Sequence, residues 1–299
     1  MGRSNARASY RELGQRLRQC RQAAGMSGLQ VARVNQWPPS KVSRMESGHH
    51  NVTDLELLDY LVSCGIYPAQ AGELMDLCRQ AMRDLGYWLS PHGEWLPDSL
   101  KSLIYHESTA ARTTTYDPLV VHGLLQTADY ARAWIATERW RSPESVQECV
   151  DIRMRRQRIL HLERPARFTF FVHEQALLLQ VGGPKVMHEQ MLQIVLLAAL
   201  DHVTVRVVPW AAGEHSAFGG SFQLLEYAEH RPLVYLDNYA TGLFLEDQEY
   251  VKPYRTLLRT IADVALDEGQ SREVIAALAN VYDRGSERNA GHRVEEEQL

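Results

Sequence analysis

Four cysteines in 299 residues, none of them in a CxxC pair, are too few for a disulfide framework. Cys20, Cys64, Cys78 and Cys149 read as reduced structural thiols, as expected of a cytoplasmic protein. Long apolar runs are missing too. The longest lies in MLQIVLLAAL at 191–200, well short of the ~18 apolar residues that a membrane helix needs. The opening MGRSNARASYREL has no apolar h-region, so no secretory signal is expected, and Gly2 followed by Ser4 and Asn5 matches an acylation pattern poorly.

The signatures of catalysis are also absent. Val181-Gly182-Gly183-Pro184 lacks the GxGxxG or GxxxxGK[ST] spacing of a phosphate cradle and reads as a turn before a helix at 185. His173–Glu174 and His188–Glu189 lack the HExxH or HxE…CxxC spacing of a zinc site, and the adjacent His49 and His50 diverge on most backbones. There is no GxSxG nucleophile elbow. The expectation is a chain that is not an enzyme, with no cofactor and no metal.

What is present is uneven charge. Residues 1–70 hold nine Lys/Arg against five Asp/Glu, a net of +4, whereas the remainder holds 23 against 32, a net of -9. A basic end on an acidic chain suits contact with a polyanion at that end.

The first 67 residues read as short helices. YRELGQRLRQCRQAAG spaces Leu13, Leu17, Cys20 and Ala24 helically and stops at Gly25; Ser27 caps SGLQVARVN; Thr53 and Glu56 form a capping box for a fourth helix. Between them lies QWPPSKVSRMESG, residues 36–48. Val42 and Met45 are three apart and face inward, leaving Ser40, Lys41, Ser43, Arg44 and Ser47 outside. A short helix with an apolar back and a front of hydroxyls and cations suits a major groove, where Arg can bridge guanine O6 and N7. Proline at the first helical position loses no hydrogen bond, and Pro39 disfavours a helical Pro38. Base reading is thereby expected from Ser40, Ser43 and Arg44, with Pro39 limited to apolar contact. The full candidate set for DNA is Ser27, Trp37, Pro39, Ser40, Lys41, Ser43, Arg44, Ser47, His49 and Asn51. A helical module that binds protein instead is the alternative.

Residues 68–86 continue as an amphipathic helix, and LSPHGEWLP marks a linker. Helices are then expected at 98–114, 126–138, 143–163, 185–201, 247–266 and 270–283, separated by period-two runs such as RFTFFVH and HVTVRVVPW. DIRMRRQRIL places Arg153, Arg155, Arg156 and Arg158 on one helix, either as a solvated face, as a site for an anion or acidic partner, or as a second contact to the DNA backbone. PWAAGEHSAFGGS, 209–221, is a lid or a long hairpin loop. The expected fold class is α+β: an all-helical N-terminal domain plus a larger mixed domain with a small, mostly antiparallel sheet and packed helices. The boundaries are a flexible 1–9, a helical domain at 10–67, a connector at 68–97, a regulatory or dimerisation domain at 98–283 and a disordered polar tail at 284–299.

Residues 10–67 resemble the phage-repressor-like (XRE-type) helix-turn-helix, whose recognition helix carries an SxxSRxExG-like pattern, here SKVSRMESG. The resemblance implies five helices and an ion pair between the first helix and the recognition-helix glutamate, placed on Arg21 and Glu46. Three positions depart from the pattern: Gly28 replaces a phosphate-contacting Gln, Asn35 an apolar residue, and Gln36 a turn glycine. YDPLVVHGLLQTADYARAWI, RMRRQRIL and FLEDQEYVKPYRTLLRTIADVAL resemble a C-terminal domain common in actinobacterial regulators described as antitoxin-like. Together these resemblances imply a cytoplasmic regulator, nucleoid-associated when bound, that reads double-stranded operator DNA as a homodimer. Its large domain would receive a small-molecule effector or a small partner protein. The alternative is an antitoxin-like protein that sequesters such a partner and binds DNA for autoregulation.

Overall fold

A computed structural model describes residues 6–83, 85–91, 98–139, 141–216, 220–238 and 241–296. Along the chain run α1 (Ala8–Ala23), α2 (Gly28–Val34), α3 (Pro39–Glu46), α4 (Asp54–Ser63), α5 (Gly72–Met82), β1 (Tyr87–Pro91), α6 (Asp98–Thr109) and β2 (Arg112–Asp117). Then follow α7 (Ala128–Ile135), α8 (Pro143–Arg156), β3 (Arg167–His173), α9 (Glu174–Leu178), α10 (Pro184–Leu197), β4 (Val203–Val208), β5 (Phe222–Glu226), β6 (Leu233–Asp237), β7 (Thr241–Leu245), α11 (Gln248–Val264) and α12 (Glu268–Glu296). The fold is α+β. It divides into two compact units that interleave in sequence: Met1–His92, Asp98–Thr109 and Glu226–Val251 in the first, and Gly93–Pro97, Ala110–Leu225 and Lys252–Leu299 in the second.

In the first unit, Leu13, Leu17, Val31, Val42, Met45, Leu57 and Leu61 form one core with Leu77, Cys78 and Ala81 of α5. The segment expected to be a connector thus supplies a fifth helix to this core. The flexible N-terminus is also shorter than expected, since Ala8 and Ser9 are buried in α1; residues 1–5 lie outside the described ones. No capping side chain starts α1. Instead the Ala8 N–H donates to Glu246 Oε1 at 2.7 Å, setting a carboxylate at the positive end of the helix. Gly14 lets α1 lie against α3: a Cβ there would stand 2.4 Å from the Met45 carbonyl oxygen.

α6 docks on α1 through buried polar groups. Glu12 accepts from Ser102 and Arg16, both at 2.8 Å, while His106 Nε2 faces its carboxylate at 3.3 Å, outside good hydrogen-bond geometry. Burial opposes ionisation of Glu12, yet His106, Arg16 and Ser102 hold its carboxyl below the usual range. β1, β7 and β6 pair antiparallel in that order, and Trp88 of β1 stacks on Phe244 of β7 at 4.8 Å. Strand β1 occupies Leu89–Pro91, the start of the expected linker; residues 92–97 lie outside the described ones.

In the second unit the strand order is β5-β2-β3-β4, with β2, β3 and β4 parallel. β2 falls partly where a helix at 98–114 is expected; the β-branched run Thr113–Thr115 favours a strand there. Phe168, Phe170, Val172, Val203, Val205 and Val207 pack with Met187, Met191 and Ile194 of α10 and with Ile275, Ala279 and Tyr282 of α12. Arg206 donates to the carbonyls of Ala262, Ala265 and Leu266, satisfying the end of α11. The tail expected to be disordered continues as α12 to Glu296. Its reason is local: the segment has no proline and is rich in Arg and Glu. Among the described residues no helix is long and apolar enough to cross a membrane.

Candidate nucleic-acid interface

Helix α2 starts at Ser27, whose hydroxyl accepts from the Gln30 N–H at 3.3 Å while the Ser27 N–H donates back to Gln30 Oε1 at 2.7 Å. Both capping groups therefore lie at the exposed tip of the helix. The turn to α3 passes through Gln36 at φ +55°, a left-handed conformation that side chains other than Gly tolerate poorly. It is held by Trp37 N–H to Ala32 O at 2.8 Å, and by Asn35, whose amide donates to Val31 O and the Ser63 hydroxyl. Asn35, at a position where an apolar residue is usual, thus ties the turn to α4.

Pro38 sits at the N-cap with ψ 137° and Pro39 at the first helical position. Val42 and Met45 are buried, and each contributes on the order of 1.5–3 kcal/mol to anchoring the helix. Ser40, Ser43, Arg44 and Ser47 are exposed on the opposite side. Arg44 Nε donates to Ser40 O at 3.3 Å within the exposed face. His49 follows, exposed, with Nδ1 3.0 Å from Ser47 Oγ, and Asn51 is exposed beyond it. Gly48 turns the chain at φ +76°, where a Cβ would stand 2.8 Å from Arg11 Cα.

Lys41 sits elsewhere. Its ammonium meets Glu56 at 2.7 Å and lies 4.1 Å over the Trp37 ring, leaving the side chain 18% exposed. Burial opposes the charge of Glu56, but Lys41, the Thr53 N–H and His50 hold its carboxyl at about 2. Lys41 and Trp37 therefore brace α3 rather than face outward together with Arg44.

Beneath the exposed face, Arg21 donates to Glu46 twice, at 2.6 and 2.8 Å, and to Met26 O at 2.8 Å. The Tyr60 hydroxyl adds a third bond to Glu46 at 2.7 Å. Burial works against Glu46, yet these partners keep its carboxyl below the usual range. An open groove of about 480 Å³ runs between Arg18 and Arg21 of α1, Ser27 and Leu29 of α2, and Pro39, Ser43 and Ser47 of α3. Arg18 and Tyr60 escape the sequence reading, and Leu29, which helical spacing groups with the inward Val31 and Ala32, is exposed. Helical spacing marks Leu13 and Leu17 as inward, but nothing in it singles out the arginine beside them.

Residues 12–73 match the family described as Helix-turn-helix domain, and residues 100–277, more than half of the chain, match Domain of unknown function (DUF5753). The chain belongs to the DUF5753 family. No curated protein matches it. The helix-turn-helix match and the exposed polar face of α3 make this DUF5753 chain a DNA-binding regulator. Within its DUF5753 portion the four arginines expected on one helix are split, with Arg153, Arg155 and Arg156 on α8 and Arg158 in the 3-10 turn Gln157–His161 that follows it, and they separate into two pairs. Arg155 and Arg158 are exposed, whereas Arg153 and Arg156 are half-buried, and Arg153 Nη1 donates to Gln126 Oε1 at 2.5 Å. Among the described residues, no three His, Cys, Asp or Glu side chains are grouped to hold a metal ion.

Proposed function

We propose that this chain is a sequence-specific transcriptional regulator that binds its operator as a homodimer. The observation that carries the reading is the division of α3: Val42 and Met45 in the core, and Ser40, Ser43, Arg44 and Ser47 exposed to solvent. A helix so anchored enters a major groove with its hydroxyls and one guanidinium first. Ser27 at the tip of α2, with His49 and Asn51 beyond α3, meets the phosphate backbone on either side. One small module makes few contacts, so two copies read half-sites about one helical turn apart, or a multiple of it. The second unit receives the signal, as a receiver rather than a catalyst.

The test begins with operator selection from a random duplex library, followed by binding at several salt concentrations. Arg44→Ala is expected to weaken the selected site by about 1–3 kcal/mol and to relax discrimination at one base pair. An unchanged footprint and affinity would remove Arg44 from the reading face.

A further inference from the structure

In the second unit, the register pairs Asp117 with Val172 and His173 with Val208, so β2, β3 and β4 end on the same side. Ligands of open α/β sheets enter at the carboxyl ends of parallel strands. Polar groups gather at that end, beside β2. Asp117 is 6% exposed and accepts from the Thr115 hydroxyl at 3.0 Å. His122 is buried, takes the Leu124 N–H on Nδ1 at 3.2 Å and turns Nε2 to the Gln223 carboxamide of β5. Burial, and then the charges of Arg156 and Arg153, keep its ring neutral.

The two arginines approach one point. A Cβ on Gly123 would lie 3.7 Å from Arg153 Nε and 3.7 Å from Arg156 Nη1. Asp117 and His122 are buried and Arg153 and Arg156 half-buried, and grouping such polar side chains does little for stability, since apolar side chains of similar volume fill such space at least as well. The arrangement instead has the chemistry of a receptor: guanidinium groups match a two-oxygen planar anion in bidentate fashion.

We infer that this cluster takes a small organic acid, with Arg153 and Arg156 binding its carboxylate beside Gly123, and Asp117 and Gln223 binding hydroxyl or amide groups on the remainder. The inference rests on the reading of the second unit as a signal receiver, and it names the class of signal. Gly123 has no side chain to block the approach, and the exposed Arg155 of α8 and Arg158 of the turn after it take no part.

The test uses the full-length protein with lactate and 3-hydroxybutyrate as probes, lactamide as the uncharged analogue and inorganic phosphate as the competing anion. Thermal unfolding and calorimetric titration are expected to show saturable binding of a hydroxy acid and none of lactamide. Arg153→Gln and Arg156→Gln are expected to weaken binding at least tenfold, and Arg155→Gln and Arg158→Gln less than twofold. Gly123→Ala keeps both arginines and introduces only ordinary contacts, so it folds, and it is expected to weaken binding severalfold. No binding of either acid, equal losses from the exposed arginines, an unaffected Gly123→Ala, or phosphate binding more tightly than carboxylate would each overturn the assignment. DNA binding by the same preparations separates the two readings. An enriched operator with no acid binding removes this site alone, whereas failure to enrich any sequence removes the regulator reading.

Discussion

Arg21 grips Glu46 with two nitrogens of its guanidinium, Nε to Oε1 at 2.6 Å and Nη2 to Oε2 at 2.8 Å. The side chains are 14% and 11% exposed, so the pair is shielded, and Tyr60 occupies a further acceptor site on the same carboxylate. The bond joins α1 to α3 beside the apolar contact that Leu13 and Leu17 share with Val42 and Met45. A single partner removed leaves a shielded charge uncompensated. Arg21→Met is expected to destabilise the first unit by about 2–4 kcal/mol, and Arg21→Lys to recover only part of that, because an ammonium cannot form the fork. Urea unfolding followed on the full chain, with a double-mutant cycle through Glu46→Gln, checks it. A coupling energy below about 0.5 kcal/mol would show that the bond positions nothing.

Lys41 offers a different test, since the sequence places it in the candidate set for DNA, where a lysine would neutralise a phosphate. Its charge is already matched by Glu56 and its position fixed over Trp37. Lys41→Gln should therefore leave the slope of log K against log salt concentration nearly unchanged while lowering stability by about 1–2 kcal/mol. A true phosphate contact would reduce that slope by about one. Titration of selected operator DNA at four or more salt concentrations distinguishes the two, and a slope reduced by a full unit would return Lys41 to the DNA face.

These two cases show where the sequence was legible. Periodicity placed α1 to α4, the proline start of α3 and its inward Val42 and Met45, because local spacing and caps decide short helices. The Arg21–Glu46 contact came from family resemblance, and spacing alone would not supply it. What escaped was non-local. Glu246 starts α1 from 238 residues away, and Glu12 meets Ser102 and His106 across 90 or more. The parallel pairing of β2 with β3 and β4 likewise depends on which strands meet, a matter that alternation within each strand leaves open. The arginines at 153–158 are visible as a group, but only packing separates Arg153 and Arg156 from Arg155 and Arg158.

Gln36 carries a local cost that a single substitution can relieve. Its φ of +55° places a side chain in the left-handed region, at about 1 kcal/mol for a residue other than Gly. Gln36→Gly removes that strain but adds freedom to the unfolded chain, so the net gain is expected at about 0.5 kcal/mol. The urea midpoint of the first unit reads it out. A loss of 1 kcal/mol or more would mean that the Gln36 side chain makes a contact worth more than its strain.

Asp117 provides the pH dependence. Burial raises its carboxyl to about 7, against the Thr115 hydrogen bond and the charge of Arg156, whereas an unfolded Asp titrates near 3.9. Below pH ~4 the group is protonated in both states and makes no difference. Between about 4 and 7 the unfolded chain gives up the proton and the native state keeps it, so stability falls as pH rises; above about 7 the whole penalty is present. Asp117→Asn keeps an acceptor for Thr115 without the titration. Its stability relative to the parent is expected to grow from pH 4 to pH 7 and then level off, with a total on the order of 2–4 kcal/mol. His122, held neutral in both proteins, cancels in the difference. Denaturant midpoints for the second unit at half-unit pH steps make the measurement. A difference that stays flat across this window, or shrinks as pH rises, would mean that Asp117 is ionised in the native state and that its charge is met by Arg156.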